Sequence, residues 1–289
     1  MVALVIDSPY RSTTGRKPAS AAVLYDFHND AAGGLVVSDR YGNGPTLTIA
    51  GTEGTIWSDD RGWLRPNGTD NQATITSGHA QQDYIANSII PALLTVGRGL
   101  YVHWRFKWPS ATPSATEAYV TFGRSHSSSA AVVINTAAGK PVAITIRGLG
   151  ASATSSLTFG SATLYTTGTE YSILLYLIPT AAGFDAMAWM DGVALGTLGS
   201  LLWTANSGSV PAASVFAYPD TLAIGANRGG SSSGSPTWSQ RLGATNSAGT
   251  AMANVGIVAP AAGSVNAAAA LALELAQYPR YVGEILASV

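Results

Sequence analysis

From position 21 onward the chain is written in short runs of alternating apolar and polar residues, cut by Gly, Asn, Asp, Ser or Pro at intervals of roughly 8–15 residues. Period two is the pleat of a β-strand, because successive side chains leave opposite faces of the backbone. Residues 100–108, LYVHWRFKW, alternate most cleanly: Val102, Trp104, Phe106 and Trp108 share one face, and Tyr101, His103, Arg105 and Lys107 share the other. The first face is expected in a core and the second in water. Further strand runs are 22–28 (with Val23, Tyr25 and Phe27 on one face), 46–49, 73–76, 118–122, 131–134, 142–147, 171–178, 185–190 and 222–224. No long helical period separates any two of them, which predicts an all-β, antiparallel two-sheet β-sandwich. Residues 267–277 have a helix-forming composition, yet Leu271, Leu273 and Leu275 recur with period two. They are expected to form a strand stopped by Pro279, with about one helical turn over 282–287.

No charge shift, repeat or tether divides the chain, and the Ser/Gly-rich stretch 229–235 suits a loop. The expected organisation is an extended N-terminal arm, 1–20, ahead of one sandwich domain, 21–289. The arm carries Pro9, Tyr10, Arg11, Arg16 and Lys17. Terminal arms are ordered only when something holds them, so these residues are expected to dock on a partner.

Lys and Arg number 15 and Asp and Glu 16, together 11% of the chain, against about 25% in an average protein. Ser, Thr, Gly, Asn and Gln must keep the exterior wet, as in SSGSPTWSQ. A hydroxyl is cheaper to bury than an ammonium or a carboxylate, so such a surface suits contacts with neighbours or glycans. Host bias in a weakly charged protein would produce the same composition. A net charge of −1 and three lysines, Lys17, Lys107 and Lys140, leave no basic stripe for nucleic acid. Without cysteine there is no disulfide framework, thiolate nucleophile or Cys-ligated zinc. Residues 1–6 are too short for a signal-peptide core, and no run approaches the 18 or so apolar residues of a membrane span. The chain is expected to be soluble, with no membrane insertion.

The turns carry a family resemblance. Asp39-Arg-Tyr-Gly-Asn-Gly44, after a strand bearing Tyr25 and Phe27, resembles the opening of the concanavalin A-like lectin/glucanase superfamily, especially laminin-G-like domains. Runs 171–178 and 185–190 leading into Asp191-Gly192-Val193 resemble its hairpin ending in D-G, Leu222-Ala-Ile-Gly225 its l-x-I-G strand, and 274–286 its closing strand. Tyr41 stands where the pattern usually has Ser, while Gly42 and Gly44 keep the turn. The resemblance implies a jelly roll with ligands on the concave face or rim loops. It also implies possible loop calcium, for which Asp39, Asp59, Asp60 and Asp70 have the ligand type. Loop aspartates equally close Asx-turns.

The superfamily's glucanases place acids as E-x-D-x-E or E-x-D-x-x-E, and no segment here matches. Glu53, Glu117, Glu170, Glu274 and Glu284 are far apart in sequence. Asp26 and Asp30 on an extended strand would be about 13 Å apart, beyond the about 5–9.5 Å of glycosidase pairs. Only a cross-strand pair stays open. Asp26, His28 and Asp30 have metal-ligand chemistry if the strand continues, whereas a turn at Asn29-Asp30 leaves a solvent-facing pair. No G-x-S-x-G elbow or phosphate loop occurs. No catalytic or metal residue is assigned.

A sugar needs an aromatic platform beside planar hydrogen-bonding groups. Trp238, in the loop 228–241 with Arg228 and Asn227 at its start, fits first, and Trp57 with Asp59, Asp60 and Arg61 second. Each Trp would equally serve to cap the sandwich edge. Trp104, Trp108 and Trp189 are expected in the core or on a sheet face. The combined reading is a non-catalytic structural protein of a tailed-phage virion, a capsid decoration or tail accessory subunit, carrying a lectin-like domain and assembled in the host cytoplasm. Its expected partners are other virion proteins, copies of itself and cell-surface glycans. The alternative is a free carbohydrate-binding module or adhesin.

Overall fold

The computed structural model describes residues 22–27, 36–39, 42–49, 73–75, 88–108, 116–137, 140–160, 166–216, 222–230, 237–240, 242 and 250–259. In chain order the strands are β1 (Ala22–Asp26), β2 (Val36–Val37), β3 (Leu47–Ile49), β4 (Ala73–Ile75), β5 (Leu100–Lys107), β6 (Ala118–Gly123), β7 (Ala131–Ala137), β8 (Lys140–Arg147), β9 (Ser155–Phe159), β10 (Glu170–Pro179), β11 (Gly183–Met190), β12 (Val193–Ala194), β13 (Gly199–Leu202), β14 (Leu222–Ile224), β15 (Asn227–Gly229), β16 (Thr237–Ser239) and β17 (Ala251–Val258). Two short helices, α1 (Ile90–Leu94) and α2 (Ala213–Phe216), accompany them.

One sheet runs β1-β17-β5-β10-β11-β12, with β13 also on β11; the other runs β2-β3-β4-β14-β6-β7-β8-β9; β15 and β16 form a separate hairpin. Every ladder described is antiparallel. Strands distant in sequence lie side by side, β1 with β17 and β14 between β4 and β6. The chain therefore passes repeatedly from one sheet to the other, which is jelly-roll wiring, around the consecutive hairpin runs β6-β7-β8-β9 and β10-β11-β12.

The inner faces meet in one apolar cluster. Val102, Trp104, Phe106, Ile173, Leu175, Val255 and Ile257 come from the first sheet, and Val120, Phe122, Val132, Ile134, Ile144 and Ile224 from the second. Trp104 is 4.9 Å from Tyr119 of the facing sheet, and Phe106 lies 5.4 Å from Trp108 and 5.6 Å from Tyr119. Tilted ring pairs at these distances add to area burial and lock the sheets in register.

Two turns explain local features of the sequence. The Asp39 carboxylate accepts the backbone N–H groups of Leu24 (2.7 Å), Asn43 (2.7 Å) and Gly44 (2.8 Å), tying its loop to β1. The carboxylate thus pins the 39–44 loop against β1. Between β11 and β12, Asp191 and Gly192 have φ of 50° and 82°. Positive φ at both central residues is the type I′ hairpin turn, whose twist matches that of the strands it joins.

Three expectations are corrected. The polar row of β5 is not a wet face: Tyr101 and His103 are buried, and Arg105 and Lys107 are half-buried. β5 is an inner strand, flanked on that side by Leu174 and Tyr176 of β10 and by Gly256 and Val258 of β17. The open loop expected at 228–241 contains a hairpin, with Asn227 to Gly229 paired to Ser239 to Thr237. Finally, the strand that joins β1 to β5 is β17, which period-two reading passes over because a bulge between Met252 and Asn254 breaks its alternation. Residues 267–277 and 282–287 lie outside the described residues, as does the arm 1–20.

Candidate functional site

Strand alternation decides which side chains leave the core on the outside of the first sheet. β11 contributes Asp185, Met187 and Trp189; β10 contributes Ser172, Leu174, Tyr176 and Ile178; β5 contributes Tyr101, His103, Arg105 and Lys107; β17 contributes Asn254. Exposure divides this face in two. Tyr101, His103, Leu174 and Asn254 are buried, whereas Ser172, Tyr176, Met187 and Trp189 are half-buried. An accessible band therefore follows β10 and β11, bordered by the β5–β10 ladder.

Two rings stand in this band. Trp189 lies opposite Leu174 on one side and Ala194 on the other, and Met187 lies opposite Tyr176. Trp189 and Tyr176 are thus diagonal neighbours on one face, roughly 7–8 Å apart at the backbone. Tyr176 is held by a parallel stack on Tyr101, with ring centroids 4.1 Å apart and planes 6° apart. Burial, and the neighbouring Tyr176, push the Tyr101 phenol well above its ordinary pKa. The Tyr101 hydroxyl stays neutral.

Polar groups close both ends. At one, the Ser172 hydroxyl is 3.0 Å from His103 Nε2, and the Ser172 backbone N–H donates to the Asp191 carboxylate at 3.1 Å. Burial first, and the Arg105 charge second, push the His103 pKa down to about 3, so the imidazole is neutral. Its Nδ1 and the Asn254 Oδ1 are buried without a hydrogen-bond partner among the described residues. Next to it Arg105 forms an ion pair with Glu170, which sits directly across from Lys107. At the other end the Ser200 hydroxyl donates to Asp185 at 2.5 Å. Half-buried rings flanked by fixed hydroxyls and carboxylates present an apolar plane with hydrogen-bonding edges, the complement of a pyranose.

The residues singled out from the sequence fall elsewhere. Arg228 and Asn227 are 1% and 8% exposed, and Asn227 Nδ2 donates to Gln240 Oε1 at 3.0 Å within the hairpin. Their side chains belong to the packing under β15 and β16, not to an open surface. Trp238 pairs its backbone with Arg228, and its side chain lies outside the described set. Trp57, Asp59, Asp60, Arg61, Asp70, His28 and Asp30 lie outside the described residues, as do Pro9, Tyr10, Arg11, Arg16 and Lys17. Trp104 and Trp108 are core residues and Trp189 is a sheet-face residue, as expected. The band was legible in one respect: period two places Trp189 with Asp185 and Met187, opposite Phe184, Ala186 and Ala188. The cross-strand partners on β10 were not. Among the described residues no group of three His, Cys, Asp or Glu side chains could hold a metal ion, and no helix is long and apolar enough to cross a membrane.

No protein-family model matches the sequence, and no curated protein matches it. Among solved structures the chain is similar to Trypanosoma rangeli sialidase in complex with the inhibitor DANA, at 14% identity and a TM-score of 0.43, covering 82% of this chain and 30% of the sialidase. It is similar to the binding domain of botulinum neurotoxin serotype D, at 8% identity and a TM-score of 0.45, covering 83% of this chain and 48% of that one. A third similarity is to the Ruminococcus gnavus IT-sialidase CBM40 bound to α2,3-sialyllactose, at 11% identity and a TM-score of 0.41, covering 68% of this chain and 91% of that one. The chain thus spans less than a third of the length of the sialidase.

Proposed function

We propose that this is a lectin-like carbohydrate-binding domain whose ligand lies along the outer face of β10 and β11. The observation that carries this reading is the pair of half-buried rings, Trp189 and Tyr176, standing side by side on one sheet face. A sugar ring stacked there would bury its apolar C–H face and meet the Ser172 hydroxyl at its edge. Tyr176 is already held by its stack on Tyr101, which lowers the ordering cost of binding. The test is a glycan array probed with the purified protein. Binding to at least one oligosaccharide class is expected, and an array with no signal would remove the proposal.

The domain is proposed to be non-catalytic. Each carboxylate side chain among those described has a structural partner: Asp39 closes a turn, Glu117 accepts the Thr250 backbone N–H, Glu170 meets Arg105, Asp185 meets Ser200 and Asp191 meets Ser172. Release of the chromophore from aryl glycosides by the purified protein would overturn this.

The working place proposed for the domain is a tailed-phage virion, where it would be carried by a structural subunit. Support comes from the weakly charged composition and from the run between Gly192 and Pro219, which contains no charged residue and exposes Val193, Leu198, Leu202 and Val210. Removing residues 1–20 is expected to abolish incorporation into particles, and unchanged incorporation would remove the docking role of the arm.

A further inference from the structure

β13 ends the first sheet on one side, and its outer edge is open. The Trp203 N–H bonds to the Ala182 carbonyl. Antiparallel ladders alternate, so Gly199 and Leu201 turn their backbone groups to β11 while Ser200 and Leu202 turn theirs away. Those outward groups have no partner among the described residues. Within 193–202 every residue except Leu195, Gly199 and Leu201 is exposed, Leu198 at 54% and Leu202 at 48%. β9, the last strand of the second sheet, lies alongside, and a Cβ on Gly199 would meet the Leu157 side chain at 2.5 Å. Edge strands ordinarily carry charge, proline or a covering segment that stops them from pairing with another chain. This flank has no such charge: 148–169 and 192–219 contain no Asp, Glu, Lys, Arg or His. At the opposite edge of the same sheet the β1 N–H of Leu24 is taken by Asp39.

We infer that β13 pairs antiparallel with β13 of a second copy of this chain across a two-fold axis, joining two sandwiches through one continuous sheet. A two-fold contact sets a surface against its own copy, so any charge on it meets its like. A neutral flank escapes that repulsion, and it offers a charged partner nothing to complement. Asp185, the one charge on β11, sits a strand further in and is bonded to Ser200. Three strand spacings, about 14 Å, separate it from its copy, beyond the screening length of about 8 Å at physiological salt. Leu198 and Leu202 of one copy then lie beside those of the other and lose apolar surface to water no longer. Because the sheet grows edgewise, the outer face of β10 and β11 stays open in both copies. The pairing stands apart from the sugar-binding reading, and only the avidity that two joined sites would bring rests on it.

Sedimentation velocity and amide hydrogen exchange on the full chain test the pairing, in wild type, Leu198→Lys, Leu202→Lys and Val36→Lys. Wild type is expected to sediment as two chains, with a dissociation constant of about 10 μM or tighter. Its Ser200 and Leu202 amides are expected to exchange more slowly as protein concentration rises. Leu198→Lys and Leu202→Lys each place a cation on the shared edge and are expected to weaken the dimer by about tenfold or more, with exchange no longer dependent on concentration. Val36 is 53% exposed on β2, an edge strand of the other sheet, and Val36→Lys is expected to leave the dimer intact. All three substitutions replace exposed side chains, and melting temperatures matched to wild type at low concentration confirm the fold. A wild type that remains a single chain at about ten times that dissociation constant, a dimer that survives both edge lysines, or one that Val36→Lys dissociates equally overturns the inference. A glycan array reads sugar binding independently of each of these outcomes.

Discussion

His103 and Ser172 meet across the β5–β10 ladder, imidazole Nε2 to hydroxyl at 3.0 Å, and the first is buried while the second borders the accessible band. The contact couples the stability of the sheet to the site. Because the folded pKa of His103 lies near 3, below the about 6.5 of an unfolded histidine, the unfolded chain binds the extra proton first. Stability is therefore full above about pH 6.5 and falls as pH drops from there toward 3, by up to about 1.4 kcal/mol per unit in the steepest part. Urea midpoints measured from pH 7 to pH 4 are expected to fall, and the slope is expected to flatten in His103→Gln. An equal slope in the variant would show that other groups carry it.

Asp39 offers a second test. Asp39→Ala strands the backbone N–H groups of Leu24 and Gly44, both buried, and that of Asn43. A loss of about 2–4 kcal/mol is expected, read as a lowered denaturant midpoint. Since those N–H groups already hold the carboxylate, a chelator is expected to leave the wild-type melting temperature where it was. A chelator-induced drop of several degrees would point to an ion in this loop.

Gly99 offers a test that leaves both platform residues unsubstituted. A Cβ there would meet the Tyr176 ring at 2.5 Å and its hydroxyl at 2.7 Å, and the end of a side chain can swing aside at modest cost. Gly99→Ala is expected to cost about 1 kcal/mol of stability or less. It should also displace Tyr176 from its stack on Tyr101, changing the near-ultraviolet circular dichroism and lowering sugar affinity about tenfold. An unchanged aromatic spectrum would contradict the role given to the stack.

Much of the sandwich was legible because alternation is a local signal: Val102, Trp104 and Phe106 declare the inner face of β5 without reference to any neighbour. The outer face was misread for the complementary reason. Whether His103 meets water depends on Leu174 and Gly256, which sit beside it only through pairing with β10 and β17, and no window of sequence contains that fact. Arg228 likewise read as a loop cation because Gly and Ser surround it, while its burial follows from the fold-back of β15 and β16. Trp189 was placed correctly on a sheet face, yet its partner Tyr176 lies in a different strand. Candidate sites built across a ladder are visible only once register is known.

The most direct measurement is the affinity of Trp189→Ala for the best glycan found with wild type. Loss of a stacking ring from a half-buried platform should weaken binding by about tenfold or more, roughly 1.4 kcal/mol, with the melting temperature little changed because Trp189 stands outside the core cluster. Full affinity retained by a folded Trp189→Ala protein would contradict the assignment of the ligand to the β10–β11 face.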